Sequence, residues 1–320
     1  MYETSPSATR PRDDLLGAYC ALDTNSAGLI ADQVLPPFQV AQEDGMYSVI
    51  PREAYLQRVD TKRAIGAPAA SSDWSPDSDT FSLANYAFKS PAFERAAKIY
   101  GSFMRVQDIE ARRCALKIAL DREIDTAAAV FNTTTFGTNN VNTFTIAGGS
   151  EWDVSTGAGK PVTDIMTART MHVENGFGEP NALIISFYLL ARLGLCTQIR
   201  DFLGDQVDQP GLLPLPTLQG IFGLEKIIVA KGIYNSARAG QTPVWSRIWS
   251  NDYAMVCRIE DSDDIETPQL GRTLRLMDKE PTLESYVIPD PKGEMVVADD
   301  IAAPKLMKTP AGVLIRNTAA

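Results

Sequence analysis

Histidine is almost absent from this chain of 320 residues, which contains His172 alone. A single histidine excludes zinc sites of the HExxH type and multi-histidine metal sites, and it leaves His172 as the one base on which a histidine-based catalytic triad could be built. His172 lies in a segment predicted to be helical, and we assign it a structural role. The motifs GxGxxG, GxxxxGK[ST] and GxSxG are missing as well. We therefore expect a protein that is not an enzyme, with no catalytic residues, no cofactor and no metal.

The chain also lacks long hydrophobic runs and an excess of basic residues. No apolar run approaches the roughly 20 residues of a membrane helix, so we predict no membrane association. Acidic residues outnumber basic ones by 40 to 30, which leaves only weak, non-specific contact with DNA. The four cysteines share no CxxC spacing and have apolar neighbours, which indicates buried free thiols and a cytoplasmic setting. They are Cys20, Cys114, Cys196 and Cys257.

The first part of the chain suggests an arm and a projecting loop. Residues 1–27 are rich in Ser, Pro and charge, which predicts an extended segment. Residues 46–52 and 80–90 have the aromatic and branched composition of strands, and about 27 residues separate them. So long a connection usually belongs to a functional loop. Its candidate subunit-contact residues are the aromatic Tyr55 and Trp74 and the basic Arg58, Lys62 and Arg63.

A long charged helix follows, with the sequence DIEARRCALKIALDREIDTAAAVFN at residues 108–132. Twenty-five helical residues span roughly 37 Å. Leu116, Leu120, Ile124, Ala127 and Phe131 recur at steps of four and three, which predicts one buried apolar stripe. The many charged residues lie off that stripe. We interpret them as a flank that faces solvent or a neighbouring subunit.

The rest of the chain divides into two kinds of sequence. PVTDIMTARTMHVEN predicts a helix that begins at a proline, and NALIIS predicts a strand buried on both faces. Further helices and strands alternate after them, which indicates an α/β unit. EDSDDIE at residues 260–266 lacks the spacing of a calcium loop and is interpreted as a surface turn. The tail predicts short strands that Pro, Gly and Asp separate, among them GEMVVADD and APKLMKT.

In order, these segments resemble the major capsid protein of tailed bacteriophages, also called the major head protein. GLIADQVLPPFQVAQEDGMYSVIPR at residues 28–52 resembles the entry from the family's N-terminal arm into its extended loop, and residues 108–132 resemble its spine helix. The most specific block is EWDVSTGAGKPVTDIMTARTMHVENGFGEPNALIISFYLLARLGLCTQIRDFLG, in which a Trp precedes a Pro-initiated helix and a buried strand. IFGLEKIIVAKGIYNSARAGQTPVWSRIWSNDYAMV resembles the part that follows it.

The resemblance implies an α+β fold of four parts. These are an N-terminal arm at residues 1–44, an extended β-hairpin loop at 45–92, a peripheral domain at 93–165 and 284–320, and an axial α/β domain at 166–283. The spine helix belongs to the peripheral domain.

The resemblance also implies self-assembly into hexamers and pentamers of an icosahedral head around double-stranded DNA. The expected partners are other copies of the chain, portal and scaffolding proteins and a decoration protein. The expected location is the virion, after assembly in the host cytoplasm. Two alternatives stay open at this point: the shell of an encapsulin-like nanocompartment, and an enzyme with an unrecognised site.

Overall fold

The computed structural model describes residues 10–11, 28–49, 56–63, 69–71, 75, 77–100, 105–137, 142–154, 158–204, 213–238, 240–261, 267–277, 282–308 and 310–319. The strands in these ranges are β1 (Arg10–Pro11), β2 (Pro37–Val40), β3 (Asp44–Val49), β4 (Asp77–Ser82), β5 (Ala84–Phe93), β6 (Thr143–Thr145), β7 (Ala182–Ser186), β8 (Lys226–Ala230), β9 (Ile233–Asn235), β10 (Trp245–Arg247), β11 (Tyr253–Cys257), β12 (Gly271–Leu276), β13 (Thr282–Ile288), β14 (Gly293–Leu306) and β15 (Gly312–Arg316). The helices are α1 (Ala31–Val34), α2 (Glu94–Tyr100), α3 (Val106–Val130), α4 (Thr133–Phe136), α5 (Pro161–Glu174), α6 (Phe187–Leu193), α7 (Thr197–Leu203) and α8 (Leu215–Phe222).

The larger sheet is organised by the long strand β14. Its six strands follow the order β1-β13-β14-β12-β2, and β5 pairs with the other edge of β14. The sequence predicted two short strands here, whereas the structure has one continuous strand that contains Pro304. Strand β5 begins at Ala84, opposite Ala302, and does not reach Pro304, which therefore lies where only β12 flanks β14. A strand that is paired on one edge tolerates a proline, which explains why Pro304 does not end it.

The helix α3, hereafter the spine helix, packs on β5 and β14 of this sheet. It begins at Val106 and ends at Val130, which confirms the predicted long helix to within two residues at each end. The predicted stripe is wrong in its rotation about the helix axis. The buried face is lined mainly by small side chains, Ala111, Cys114 and Ala115, together with Ile118, whereas Leu116 is 38% exposed. Small residues allow the helix backbone to approach the sheet closely, which larger side chains would prevent.

The smaller sheet has five strands in the order β6-β15-β11-β7-β8. Every residue of β7 is buried, which confirms the prediction for NALIIS. Leu183 and Ile185 pack against the side formed by α5 to α8, and Ala182 and Ile184 pack against the opposite side. That opposite side includes Val130 of the spine helix together with Leu35, Trp249 and Leu306. The two sheets therefore meet in one shared hydrophobic cluster.

Two separate antiparallel hairpins complete the described fold. Strands β3 and β4 pair from Asp44↔Ser82 to Val49↔Asp77, at the base of the predicted extended loop. Strands β9 and β10 pair over three residues each. The described pairing of the extended loop is therefore at its base, between β3 and β4.

Several described strands lie in a different sheet from the group to which the sequence assigned them, and β6, which was grouped with the peripheral domain, is one of them. Residues 84–92, which we grouped with the extended loop, belong to β5 and pair with β14 over their whole length. β12 was grouped with the axial domain and lies in the larger sheet. β15 was grouped with the peripheral domain and lies inside the smaller sheet. The reason is that strand partners are distant along the chain, whereas the grouping followed sequence order.

Candidate assembly surfaces

An ion network fixes the middle of the spine helix to the rest of the subunit. Arg122 is buried, and its guanidinium lies 3.2 Å from the Asp300 carboxylate in β14 and 2.8 Å from that of Asp32 in α1. Arg275 of β12 approaches the other oxygen of Asp32 at 3.7 Å. Asp300 is itself only 4% exposed, so both members of this pair are removed from water. Such a pair holds its elements in one relative position, because separating it leaves a buried charge without compensation.

The next residue of the helix, Glu123, makes a second buried connection. Its carboxylate accepts hydrogen bonds from the backbone N–H groups of Ile30, at 3.0 Å, and Ala31, at 2.6 Å, and from Trp249 Nε1, at 2.5 Å. Burial raises the pKa of Glu123, and the hydrogen bonds from Trp249 and the two amides act against that shift. A carboxylate at the start of α1 also satisfies amides that have no partner within that helix.

These two side chains correct the prediction that the charges of the spine helix face solvent or a neighbour. Arg112, Arg113 and Lys117 are exposed as expected, but Arg122 and Glu123 are buried. No local pattern could have revealed this, because the partners lie between 90 and 178 residues away in sequence. Together they join α1, which lies in the predicted N-terminal arm, to the spine helix, to β14 and to Trp249.

The base of the β3–β4 hairpin is attached to the larger sheet by charge. Lys305, near the end of β14, lies 3.0 Å from Asp79, and Lys308 forms an ion pair with Asp77. Tyr47 of β3 donates a hydrogen bond of 2.9 Å to Asp79, and burial raises the pKa of the Tyr47 hydroxyl. The hydrogen bond from Lys308 lowers the pKa of Asp77. These contacts hold the base of the extended loop, hereafter the arm root, on the body of the subunit.

The predicted contact residues fall partly outside the described ranges. Tyr55 and Trp74 lie outside the described residues. Arg58, Lys62 and Arg63 lie on one exposed stretch, residues 56–63. They are near one another because they are close in sequence. Leu56 begins this stretch, and its Cδ1 atom would lie 3.0 Å from a Cβ atom built on Gly176. Part of the loop therefore approaches the body of the subunit, which the sequence did not predict.

The β9–β10 hairpin exposes a group of apolar side chains. Trp245 is 67% exposed, Val244 55% and Ile233 53%. On the subunit itself the hairpin is tethered by Arg247, whose guanidinium lies 5.0 Å from the centre of the Tyr188 ring. Sequence analysis did not single out this hairpin. The adjacent residues Val244 and Trp245, set among polar residues, were the available signal.

Buried polar contacts hold the helix α5 in place beside the smaller sheet. His172 is fully buried, and its Nδ1 atom lies 2.8 Å from the carbonyl oxygen of Gly178, which is consistent with a structural role. Trp152 Nε1 donates a hydrogen bond of 2.9 Å to Asp164, near the start of α5. Burial raises the pKa of Asp164, and the Trp152 hydrogen bond partly offsets that effect.

Metal-binding and membrane-spanning features are not found in the described parts of the chain. Within those ranges, no group of three or more His, Cys, Asp or Glu side chains is arranged to hold a metal ion. None of the described helices combines the length and hydrophobicity needed to cross a bilayer.

The fold described above is similar to that of several solved structures. A phage-related protein from Bordetella bronchiseptica RB50 aligns over 97% of this chain and 98% of its own, with a TM-score of 0.74 and 19% identity. The capsid structure of the cyanophage P-SCSP1u aligns over 90% of this chain and 88% of its own, with a TM-score of 0.58 and 12% identity. The chain has the fold of phage major capsid proteins. The resemblance predicted from the sequence is thereby confirmed for the fold.

A curated relative supports this assignment at the level of sequence. The major capsid protein of Pseudomonas phage JBD67 is 27% identical to this chain over 156 residues. That alignment covers 49% of this chain and 48% of the relative, so the chain matches about half the length of the curated major capsid protein. No protein-family model matches the chain.

Proposed function

We propose that this chain is the major capsid protein of a tailed phage. In this function, copies assemble into hexamers and pentamers of an icosahedral head that encloses double-stranded DNA. The observation that carries the proposal is the agreement of two comparisons, a whole-chain similarity of fold to phage capsid structures and a sequence similarity to a curated major capsid protein. It is a structural function, which the missing catalytic motifs also favour.

The exposed features of the subunit support assembly. The arm root is held by Lys305 and Lys308, while Arg58, Lys62 and Arg63 beyond it are exposed. A two-stranded hairpin that projects from a subunit is marginally stable alone and is stabilised by a neighbour. A closed symmetric shell supplies such a neighbour to every subunit. The net charge of −10 also suits a wall that encloses DNA without adsorbing it.

The location and the other partners follow from this function and belong to the same proposal. The protein is placed in the virion, after assembly in the host cytoplasm. A portal protein and a scaffolding protein would take part in assembly, and a decoration protein would bind the finished shell. The encapsulin-like alternative predicts the same shell with protein cargo, but the curated relative is a phage capsid protein, which favours the phage head.

The test is expression of the full chain, alone and together with the neighbouring phage structural genes. We expect capsomers or closed shells in analytical ultracentrifugation and electron micrographs. Sedimentation as a monomer only, in both settings, would contradict the proposal. Neighbouring portal and terminase genes support a phage head, whereas a neighbouring cargo enzyme that copurifies inside the shell supports a nanocompartment.

A further inference from the structure

The β3–β4 hairpin is attached to the body of the subunit without a hydrophobic core of its own. Along the described strands β3 and β4, every residue is exposed or half-buried, and none is buried. The hairpin is also a separate two-stranded sheet, and within the described ranges neither strand pairs with a strand of the larger sheet. An element with so few buried apolar contacts is among the first to move in a folded protein.

Two short connections join the hairpin to the larger sheet. Residues 41–43 lead from β2 into β3, and Leu83 alone separates β4 from β5. The Leu83 N–H donates a hydrogen bond of 2.9 Å to the carbonyl oxygen of Glu43, so the two connections lie side by side. Directly after Leu83, β5 pairs with β14 over its whole length. The two connections therefore form one hinge between the hairpin and the larger sheet.

The space between the hairpin and the larger sheet is incompletely filled. A cleft of about 50 Å³ lies there, lined mainly by apolar side chains, among them Phe38 of β2, Leu274 of β12 and Phe81 of β4. The end of the Phe81 ring lies 2.8 Å from the position that a Cβ atom on Gly45 would take, so this ring rests on its own hairpin. Well-packed interiors contain few gaps larger than a water molecule. Apolar packing therefore does not fix the hairpin on the sheet.

Charge supplies the attachment that packing does not. Lys305, in the last part of β14, lies 3.0 Å from Asp79 of β4. Lys308, just after β14, forms an ion pair with Asp77 and donates a hydrogen bond of 3.2 Å to the carbonyl oxygen of Ser78. The ion pairs Lys305–Asp79 and Lys308–Asp77 are hereafter called the latch. The latch joins the hairpin to the strand that organises the larger sheet.

The latch is of moderate strength because solvent reaches all four of its charged side chains. Lys305 and Asp79 are 31% and 21% exposed, and Lys308 and Asp77 are 40% and 50% exposed. Ion pairs of this kind are screened by salt, and each shifts an equilibrium by less than about tenfold. The hairpin can therefore leave its position on the sheet without exposing a buried charge.

We propose that the β3–β4 hairpin pivots about this hinge and that the latch holds it in the orientation seen in the structure. In the open orientation both ion pairs are broken and the hairpin has turned about residues 41–43 and Leu83. Residues 50–76 continue from the hairpin, so the latch sets the direction in which the extended loop leaves the subunit. The inference concerns the isolated subunit and does not depend on the function proposed above. A neighbouring subunit that binds the open orientation more tightly shifts the equilibrium toward it.

Distances between two spin labels on the unassembled full-length subunit test the proposal. The background variant is Cys20→Ser, in which the remaining cysteines, Cys114, Cys196 and Cys257, are buried. Met46→Cys, at a highly exposed position of β3, reports on the hairpin, and Val287→Cys, at a highly exposed position of β13, reports on the body. Double electron–electron resonance should show one dominant distance at about 0.1 M salt. At about 1 M salt the share of a second distance should be at least about threefold larger, because the latch is screened.

A second label pair and charge exchange show whether the latch is the cause. Lys117→Cys with Val287→Cys lies wholly on the body and should give one distance at both salt concentrations. At about 0.1 M salt, Lys308→Asp and Asp77→Lys should each enlarge the share of the second distance, because each places like charges side by side. The double variant should restore the dominant distance. Lys292→Asp, at an exposed position just before β14, makes the same change of charge and should have no effect.

Three results would contradict the proposal. One unchanged distance at both salt concentrations and in every variant would overturn it. A second distance that responds neither to salt nor to the charge changes would overturn it as well, because the hairpin would then pivot without a latch. Failure of the double variant to restore the dominant distance, with an unchanged far-UV circular dichroism spectrum, would remove the pairing on which the latch rests. Shell formation is not part of this readout, so failure of the proposed function would be seen separately, in sedimentation.

Discussion

Replacing the buried Arg122 by alanine should destabilise the subunit far more than deletion of any charge on the exposed face of the spine helix. The change leaves the Asp300 carboxylate, which is 4% exposed, without its ion-pair partner. Removing one member of a buried ion pair costs about 3 to 5 kcal/mol. Asp32 adds little to this cost, because its side chain is 41% exposed and Arg275 remains 3.7 Å away. We therefore expect a loss of about 3 to 5 kcal/mol in the free energy of unfolding.

The assay is urea unfolding of the unassembled subunit, followed by circular dichroism and tryptophan fluorescence. Arg113→Ala is the matched control, since this arginine is on the same helix, 58% exposed and paired with Glu110. That pair should contribute less than about 1 kcal/mol. The double variant Arg122→Met with Asp300→Asn should recover most of the loss, because no buried charge remains unpaired. Equal effects of Arg122→Ala and Arg113→Ala would refute the reasoning.

Three further predictions concern the loop, the pH dependence and the β9–β10 hairpin. Replacing residues 60–75 with a short Gly/Ser linker should change the melting temperature of the subunit little, because the ion pairs at the arm root remain. Shell formation by this variant should fail or give irregular particles in electron micrographs. Burial raises the pKa of Asp164, so its stabilising contribution is complete below the ordinary value of 3.8 and declines as the pH rises through the raised value. The stability of the wild type relative to Asp164→Asn, measured by urea unfolding, should therefore fall as the pH rises above 3.8. Trp245→Ser should change subunit stability by less than about 0.5 kcal/mol while it reduces the yield of shells in sedimentation.

Each of these predictions has its own control and its own contradicting result. Normal closed shells from the linker variant would show that the loop is not an assembly element. Asp121→Asn, on the exposed face of the spine helix, controls for Asp164→Asn, and a stability difference that grows with pH would contradict the assigned direction. Lys117→Ser controls for Trp245→Ser, and an unchanged yield of shells would remove the hairpin from the assembly surface.

The sequence predicted the spine helix well because the signal for it is local. Helical spacing, few helix-breaking residues and many favourable charges all lie within residues 108–132. Its orientation was predicted wrongly because two apolar faces compete on this helix. The larger side chains, such as Leu116, indicated one face, but the sheet packs against the smaller Ala111, Cys114 and Ala115. Choosing between the faces requires knowledge of how closely the helix approaches the sheet.

The buried charges could not be predicted, since their partners are distant in sequence. Arg122 and Asp300 are 178 residues apart, and Glu123 and Trp249 are 126 residues apart. From the sequence, the two helix charges were indistinguishable from their exposed neighbours. The same difficulty explains β12, which pairs with β14, and β15, which pairs with β11, because these partners lie outside the groups that the sequence indicated. By contrast, the root of the β3–β4 hairpin followed from the composition of its two strands.

Strand β14 pairs with one strand that is distant in sequence and with two that directly precede it, and the distant pairing affects how the subunit folds. This strand needs β5, more than 200 positions earlier, on one edge and β12 and β13 on the other, and Thr273 of β12 reaches back 238 residues to hydrogen-bond Leu35. Contacts of such high sequence separation require closure of large loops before they become favourable, which slows folding. Until then β14 and its partner strands present unpaired edges that can aggregate. We therefore expect the subunit to fold slowly, and lower expression temperature or added chaperones should increase its soluble yield.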